Sequence, residues 1–254
     1  MSDVIEIPGG KPQLKKRDLH LYFLLDTSGS MEEGGKIQSL NEAIRQAAPI
    51  IRDAASNEAR GNLIVHAIEF NSGARWISAE LAQGIPGAQF EWSSNLEANG
   101  ETDMGLAMEM VSQTLPHLPN NAFRPVLVLV TDGMPSDNFS GGLRKLLDVP
   151  WGKHAFRLAI AIGEDADLDT CQQFIGNKEL KPMRAHNVND IQRYMRFVSM
   201  VAGSVASSGK DLNAAQINAQ AEGAVAQNNS TVVPESELAG AAAGASAANP
   251  GDWV

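Results

Sequence analysis

Two stretches of this chain are apolar without a break, and each ends in a cluster of small or acidic oxygen-bearing residues. The first is Leu21-Tyr-Phe-Leu-Leu-Asp26-Thr-Ser28-Gly-Ser30 and the second is Val126-Leu-Val-Leu-Val-Thr131-Asp132-Gly133. A strand with one solvated face alternates apolar and polar residues. A run without alternation belongs instead to a parallel strand covered on both faces. Two such strands point to an α/β sheet, and in an open one ligands gather outside the carboxyl ends at the point of winding reversal. The polar residues that end the two strands are therefore expected in one pocket.

Strand and helix signals alternate from residue 18 to about 206. After Leu19–Leu25 come Ile37, Leu40, Ile44, Ala47, Ile51 and Ala55 at helical spacing, with Pro49 expected to kink or divide that helix. Leu63–Phe70 reads as a second strand, with Ala74–Ser78 as its antiparallel partner across the Asn71-Ser-Gly73 turn. An irregular stretch from Gly84 to Gly100 precedes a helix that starts near Thr102, with Met104, Ala107, Met108, Val111 and Leu115 facing the core. Beyond Val126–Val130, a short helix (Leu143, Leu146, Leu147) and the strand Phe156–Ile162 follow. Then come a helix (Leu168, Cys171, Phe174, Ile175), a weak strand over Met183–Asn187 and a closing helix from Ile191 to Val205. Alternation of this kind implies a doubly wound, mainly parallel sheet with right-handed crossovers and helices on both faces.

The sequence divides into a flexible segment 1–17, a domain 18–207 and a low-complexity tail 208–254 rich in Ala, Gly, Asn, Ser and Gln. Within the tail, 211–227 reads as a weak helix and 239–249 as linker, so the tail is expected to be mobile and its deletion to leave the domain folded. The formal net charge of −10 argues against nucleic acid and anionic membrane as partners. No run approaches the roughly 20 apolar residues of a membrane helix, and the opening has no apolar signal core. Cys171 is the single cysteine, which excludes an intrachain disulfide and suits a reducing compartment. The expected location is the cytoplasm.

Asp26 and Asp132 offer carboxylates, and Ser28, Ser30 and Thr102 offer neutral hydroxyls. Magnesium takes six hard oxygen donors and gives up water reluctantly. Two carboxylates roughly cancel its charge, while hydroxyls add none, so the ion keeps its affinity for one more anionic oxygen. This donor set predicts a metal that bridges to an Asp or Glu of another protein, with Mg2+ as the ion and Mn2+ as the alternative.

Asp26-Thr-Ser-Gly-Ser30, Gly100-Glu-Thr102 and Thr131-Asp132-Gly133 resemble, in order and spacing, the three pieces of the metal-ion-dependent adhesion site of von Willebrand factor A domains. The resemblance covers about residues 18–206 and implies a mainly parallel sheet of about six strands with the metal at its top. Leu96-x-Ala98-x-Gly100-x-Thr102-x-Met104-Gly105, Thr131-Asp-Gly-x-Pro135-Ser-Asp137 and Ala159-Ile-Ala-Ile-Gly163 are similar to bacterial stand-alone members of the tellurium-resistance-associated, TerY-like group. That likeness implies a stress-response or phosphorylation-linked system, with a kinase or phosphatase protein as partner.

Around the site, Glu101 and Asp103 are expected to point outward at the start of their helix. Ser136 and Asp137 are expected to cap the following helix. Met31, Met134 and Phe139 are candidate partner contacts, Trp92 and Trp151 core-edge packing, and Gly9-Gly10, Gly34-Gly35 and Gly141-Gly142 flexible joints. His20, His66, His117, His154 and His186 lack metal-ligand spacing, and no phosphate loop occurs. The sequence therefore favours a non-enzymatic adaptor. Its rivals are a magnesium-dependent hydrolase of phosphoesters, with Glu101, Asp103 or Asp137 as base, and a structural complex subunit.

Overall fold

The computed structural model describes residues 4–5, 13–14, 16–56, 61–208, 217–221 and 223. The strands are β1 (Val4–Ile5), β2 (Gln13–Leu14), β3 (Arg17–Asp26), β4 (Gly61–Asn71), β5 (Gly73–Trp76), β6 (Ile85–Pro86), β7 (Val126–Thr131), β8 (Phe156–Ile162) and β9 (Met183–Ala185). The helices are α1 (Lys36–Ser56), α2 (Ala79–Gln83), α3 (Met104–Thr114), α4 (Phe139–Asp148), α5 (Pro150–His154), α6 (Leu168–Ile175) and α7 (Val188–Ser208). β1 and β2 pair antiparallel, apart from the main sheet.

The main sheet runs β5-β4-β3-β7-β8-β9, with the two-residue β6 paired to β4. The five strands β4, β3, β7, β8 and β9 are parallel, and β5 and β6 run antiparallel to β4. Every residue of β7 and the last eight of β3 are buried, as the unbroken apolar runs require. From β3 the chain steps one way through α1 to β4, then back past β3 through α3 to β7. Right-handed crossovers in opposite directions place α1 and α3 on opposite faces. α1 packs against α7 on one face, and α3 against α4 on the other.

The reversal lies between β3 and β7, whose register pairs Leu25 with Val130 and so brings Asp26 level with Thr131. This is the crevice that an open sheet offers to ligands. α3 buries Met104, Ala107, Met108 and Val111, as its spacing predicts.

Pro49 does not divide α1, which runs through it as one helix of 21 residues. Pro49 is exposed, so the carbonyl it leaves without a backbone donor can be solvated. Gly141 and Gly142 are not a joint but part of α4. A Cβ at Gly142 would stand 2.2 Å from the Gly105 carbonyl oxygen, so these two glycines let α3 and α4 touch backbone to backbone.

The irregular stretch before α3 is packed: Phe90, Trp92 and Leu96 are all buried. Part of the tail packs as well. Residues 217–221 are helical, Ile217 and Ala221 are buried, and Asn218 donates to the Glu179 carbonyl (2.5 Å) and accepts from the Lys181 amide (3.2 Å). These five residues lie within the stretch read as a weak helix, and Ile217 and Ala221, one helical turn apart, give it a small docking face. The remainder of the tail, the 239–249 linker, Gly9-Gly10 and most of segment 1–17 lie outside the described residues.

Candidate metal centre at the sheet switch point

β3 ends by burying Asp26 completely. Its Oδ1 accepts the Ser28 amide (2.8 Å), which curls the chain into a tight loop, and its Oδ2 accepts the Thr131 hydroxyl (2.5 Å) from the end of β7. The loop continues in short 3-10 turns within Gly29–Gly35, broken by a kink at Glu33 and Gly34. The Ser28 and Ser30 hydroxyl oxygens lie 3.1 Å apart, and the Ser30 hydroxyl donates to Asp132 Oδ1 (2.8 Å). Four of the five candidate ligands, Asp26, Ser28, Ser30 and Asp132, are thus joined by a short hydrogen-bonded chain between two strand ends.

Thr102 comes from a separate loop that is stitched to the first. The Gly29 amide donates to Gly100 O (3.0 Å), Asn99 N to Thr27 O (2.9 Å) and Asp103 N to Asn71 O (2.8 Å). Gly100 has φ +72°, and a Cβ there would meet the Ser72 hydroxyl oxygen at 2.4 Å, which itself accepts the Glu101 amide. Only glycine fits this crossing.

Ser136 and Asp137 hold the same loop from the other side. The Ser136 hydroxyl accepts the Thr102 amide (2.7 Å) and contacts Asp103 Oδ1 (3.3 Å), while the Ser136 amide donates to Thr102 O (3.0 Å). The two carboxylate oxygens of Asp137 accept the Gly105 and Leu106 amides, each at 2.9 Å. Asp137 therefore caps α3 from across the crevice, not the following helix; Asn138 caps α4 by accepting the Gly141 amide. The β7–α4 loop passes directly over the start of α3, whose free N–H groups attract a carboxylate. Glu101 is exposed and Asp103 half-buried.

Thr102 and Asp132 are buried, whereas Ser30 is exposed at the rim. Burial pushes the Asp26 carboxyl above its usual range, the neutral donors of Ser28 and Thr131 pull it back, and the Asp132 charge raises it further. A buried carboxylate strained in this direction favours a nearby cation. Lys36, at the first position of α1, supplies one to the second carboxylate: its ammonium lies 2.7 Å from Asp132 Oδ2. No group of three or more His, Cys, Asp or Glu residues able to hold a metal occurs among the described residues. A cation at this crevice therefore depends on hydroxyls beside two carboxylates. That all-oxygen set fits a hard divalent ion.

Residues 21–134, which include all five candidate ligands, match the von Willebrand factor type A domain model. The chain has the von Willebrand factor A fold. A von Willebrand factor type A protein from Catenulispora acidiphila superposes with a TM-score of 0.57 at 16% identity, over 76% of this chain and 44% of that one. The ArnB paralog VWA2 from Sulfolobus acidocaldarius gives 0.50 at 15%, over 71% and 45%. Proximal thread matrix protein 1 from the mussel byssus, solved with a zinc-occupied MIDAS motif, gives 0.54 at 14%, over 72% and 48%. This chain thus spans less than half the length of each of these three. Comparison with curated proteins finds no sequence match.

On this fold, some sequence-level expectations change. Met31 and Phe139 are buried, so neither is a partner contact, while Met134 is 73% exposed beside Asp132. Leu106, at the α3 start that Asp137 caps, is 42% exposed. Lys36 carried no signal in the sequence, because its partner lies 96 residues away. Of the five histidines, His20 and His66 prove to be buried together, with Nδ1 of the first 2.9 Å from Nε2 of the second.

Proposed function

We propose that this chain is a protein-binding module whose divalent cation, Mg2+ with Mn2+ as substitute, is held by Asp26, Ser28, Ser30, Thr102 and Asp132. When bound, the ion supplies a Lewis-acidic site for one further oxygen, which an Asp or Glu of the partner provides. The observation that carries this reading is the hydrogen-bonded convergence of Asp26, Ser28, Ser30 and Asp132 at the switch point. The chain's own part is to keep those oxygens in place. The Asp26–Ser28 turn fixes one side, the Ser136–Asp137 clamp fixes the Thr102 loop, and Asp26, Ser28, Thr102 and Asp132 are buried while Ser30 stands at the open rim. Exposed Met134, two residues along the chain from Asp132, offers a partner apolar contact area.

Binding rather than turnover is favoured by what the candidate bases are doing. Asp137 spends both oxygens on α3 amides and Asp103 faces the Ser136 hydroxyl, which leaves exposed Glu101. The motif likeness to the TerY-like group supports a cytoplasmic, stress-response or phosphorylation-linked setting, with a kinase or phosphatase as partner. No helix among the described residues is long and apolar enough to cross a membrane.

The test is capture of partners from native cell extract on immobilised protein, with identification of what binds. The runs compare Mg2+, chelator and Asp26→Ala. A partner held only by the wild-type protein in Mg2+ is expected; equal capture in all three would remove the metal bridge. Steady hydrolysis of p-nitrophenyl phosphate, lost in Asp132→Ala, would replace binding with catalysis.

A further inference from the structure

We propose that Lys36 is a tethered rival of the divalent ion, which must give up Asp132 before the metal site fills and so sets the metal concentration at which it does. This rests on the metal-site reading above and concerns its regulation.

A lysine is out of place at the first position of a 21-residue helix. The N-terminal end of a helix is its positive pole and favours acids, yet the first turn of α1 has none. The position is explained by what its side chain reaches. Gly34 and Gly35, at φ +62° and +72°, turn the chain so that α1 begins beside the crevice. The Lys36 ammonium then lies 2.7 Å from Asp132 Oδ2, a carboxylate with no exposed side-chain area. Its stem runs close over Gly163, just past the end of β8, where a Cβ would stand 3.2 Å from Lys36 Cε and 3.7 Å from Nζ. Gly163 sits at φ +91°, and its bare backbone leaves room for the lysine.

Both oxygens of Asp132 are consequently engaged, Oδ1 by the Ser30 hydroxyl and Oδ2 by Lys36. A divalent ion approaching this carboxylate meets a charge already compensated and a positive group in contact with its intended ligand. Like charges that close, in a site this shielded from water, repel strongly. The ion binds only as Lys36 withdraws, and the Lys36 side chain, already one-fifth exposed, has a route to solvent. The chain thereby trades affinity for a threshold. At low metal, Asp132 keeps an internal counter-ion and the module stays closed to acidic partners. Above the threshold, the ion and a released ammonium both face an incoming carboxylate.

The experiment titrates the chelator-treated full chain with Mg2+ and Mn2+ by calorimetry and thermal shift, in wild type, Lys36→Met and Lys36→Gln. Both neutral variants are expected to bind each metal at least tenfold more tightly, to melt lower without metal, and to gain more from its addition. Lys36→Arg, which keeps the charge, should stay near wild type. Unchanged or weaker metal binding in the neutral variants, with wild type still binding, overturns the proposal and leaves the metal site standing. No binding by any of the proteins overturns both. Wild type supplies a readout that depends on no variant. The Lys36 Nζ resonance in 15N NMR should lose its exchange protection as Mg2+ saturates the site, and retained protection contradicts displacement.

Discussion

The buried histidine pair makes stability depend on pH in a way that can be worked out from its contacts. His66 Nδ1 lies 3.2 Å from the Leu81 carbonyl, which only accepts, so that nitrogen carries the hydrogen. His66 Nε2 is then the bare acceptor for His20 Nδ1–H at 2.9 Å. His20 Nε2 is buried and has no hydrogen-bond partner among the described residues, and the Tyr22 ring stacks on His66 at 4.2 Å. A proton added anywhere in this stack brings charge into an apolar layer. Burial first, and His20 second, push His66 down from 6.5 to about 4, against the hydrogen bonds to Leu81 and Ala82. His20 is also lowered, by burial, partly offset by Asp18. At about 1.4 kcal/mol per pH unit, the His66 fall corresponds to about 3 kcal/mol. The unfolded chain binds the extra proton between pH 6.5 and 4. The stability is therefore complete above pH 6.5 and is lost as pH falls toward 4, with about 2 kcal/mol gone by pH 5. Asp26, raised by burial, works in the opposite direction, so the histidines must be isolated by difference. Urea unfolding at pH 7 and pH 5 should show wild type losing about 2 kcal/mol more than His20→Phe/His66→Phe. Parallel losses in the two proteins would refute the assignment of this stack as neutral and buried.

Three further outcomes follow from single contacts. Asp137→Ala removes both acceptors from the α3 start, and should cost about 1–2 kcal/mol in unfolding free energy. It should also weaken Mg2+ binding in calorimetry, because Thr102 belongs to the same clamp. Ile217→Ala should lower stability by roughly 2 kcal/mol, and a chain ending at Ser208 should melt lower than the full chain; an unchanged melting temperature would show that residues 217–221 do not dock. The Cys171 thiol is pushed up to about 12 by burial, with Asp167 and Asp26 adding to it. Folded protein at pH 8 should therefore leave a thiol-specific disulfide reagent unreacted, whereas denatured protein should consume one equivalent.

The sheet was readable because burial on both faces writes an unbroken apolar run, as in Val126–Thr131, and the α3 face because its five apolar positions keep helical spacing. The ligand types were readable because each sits at the end of such an element. Contacts between distant loops left no local trace. Asp137 looks like a cap for the helix that follows it, and only the crossing of its loop over α3 shows which helix it serves. Lys36 looks like an ordinary solvated charge until Asp132 is placed beside it. Met31 and Phe139 follow small-residue loops as Met134 does, yet the chain direction there turns them into the core. Within 211–227 the weak helix was readable but its docking was not, because one Ile and one Ala in a polar, small-residue context form a thin stripe.

A crystal of the full chain grown in Mn2+ and measured at the manganese edge addresses the metal site directly. One anomalous peak is expected at the ends of β3 and β7, ringed by oxygens of Asp26, Ser28, Ser30, Thr102 and Asp132, with Lys36 drawn away from the carboxylate. No peak there at saturating manganese, or one ligated by other residues, would contradict the metal site.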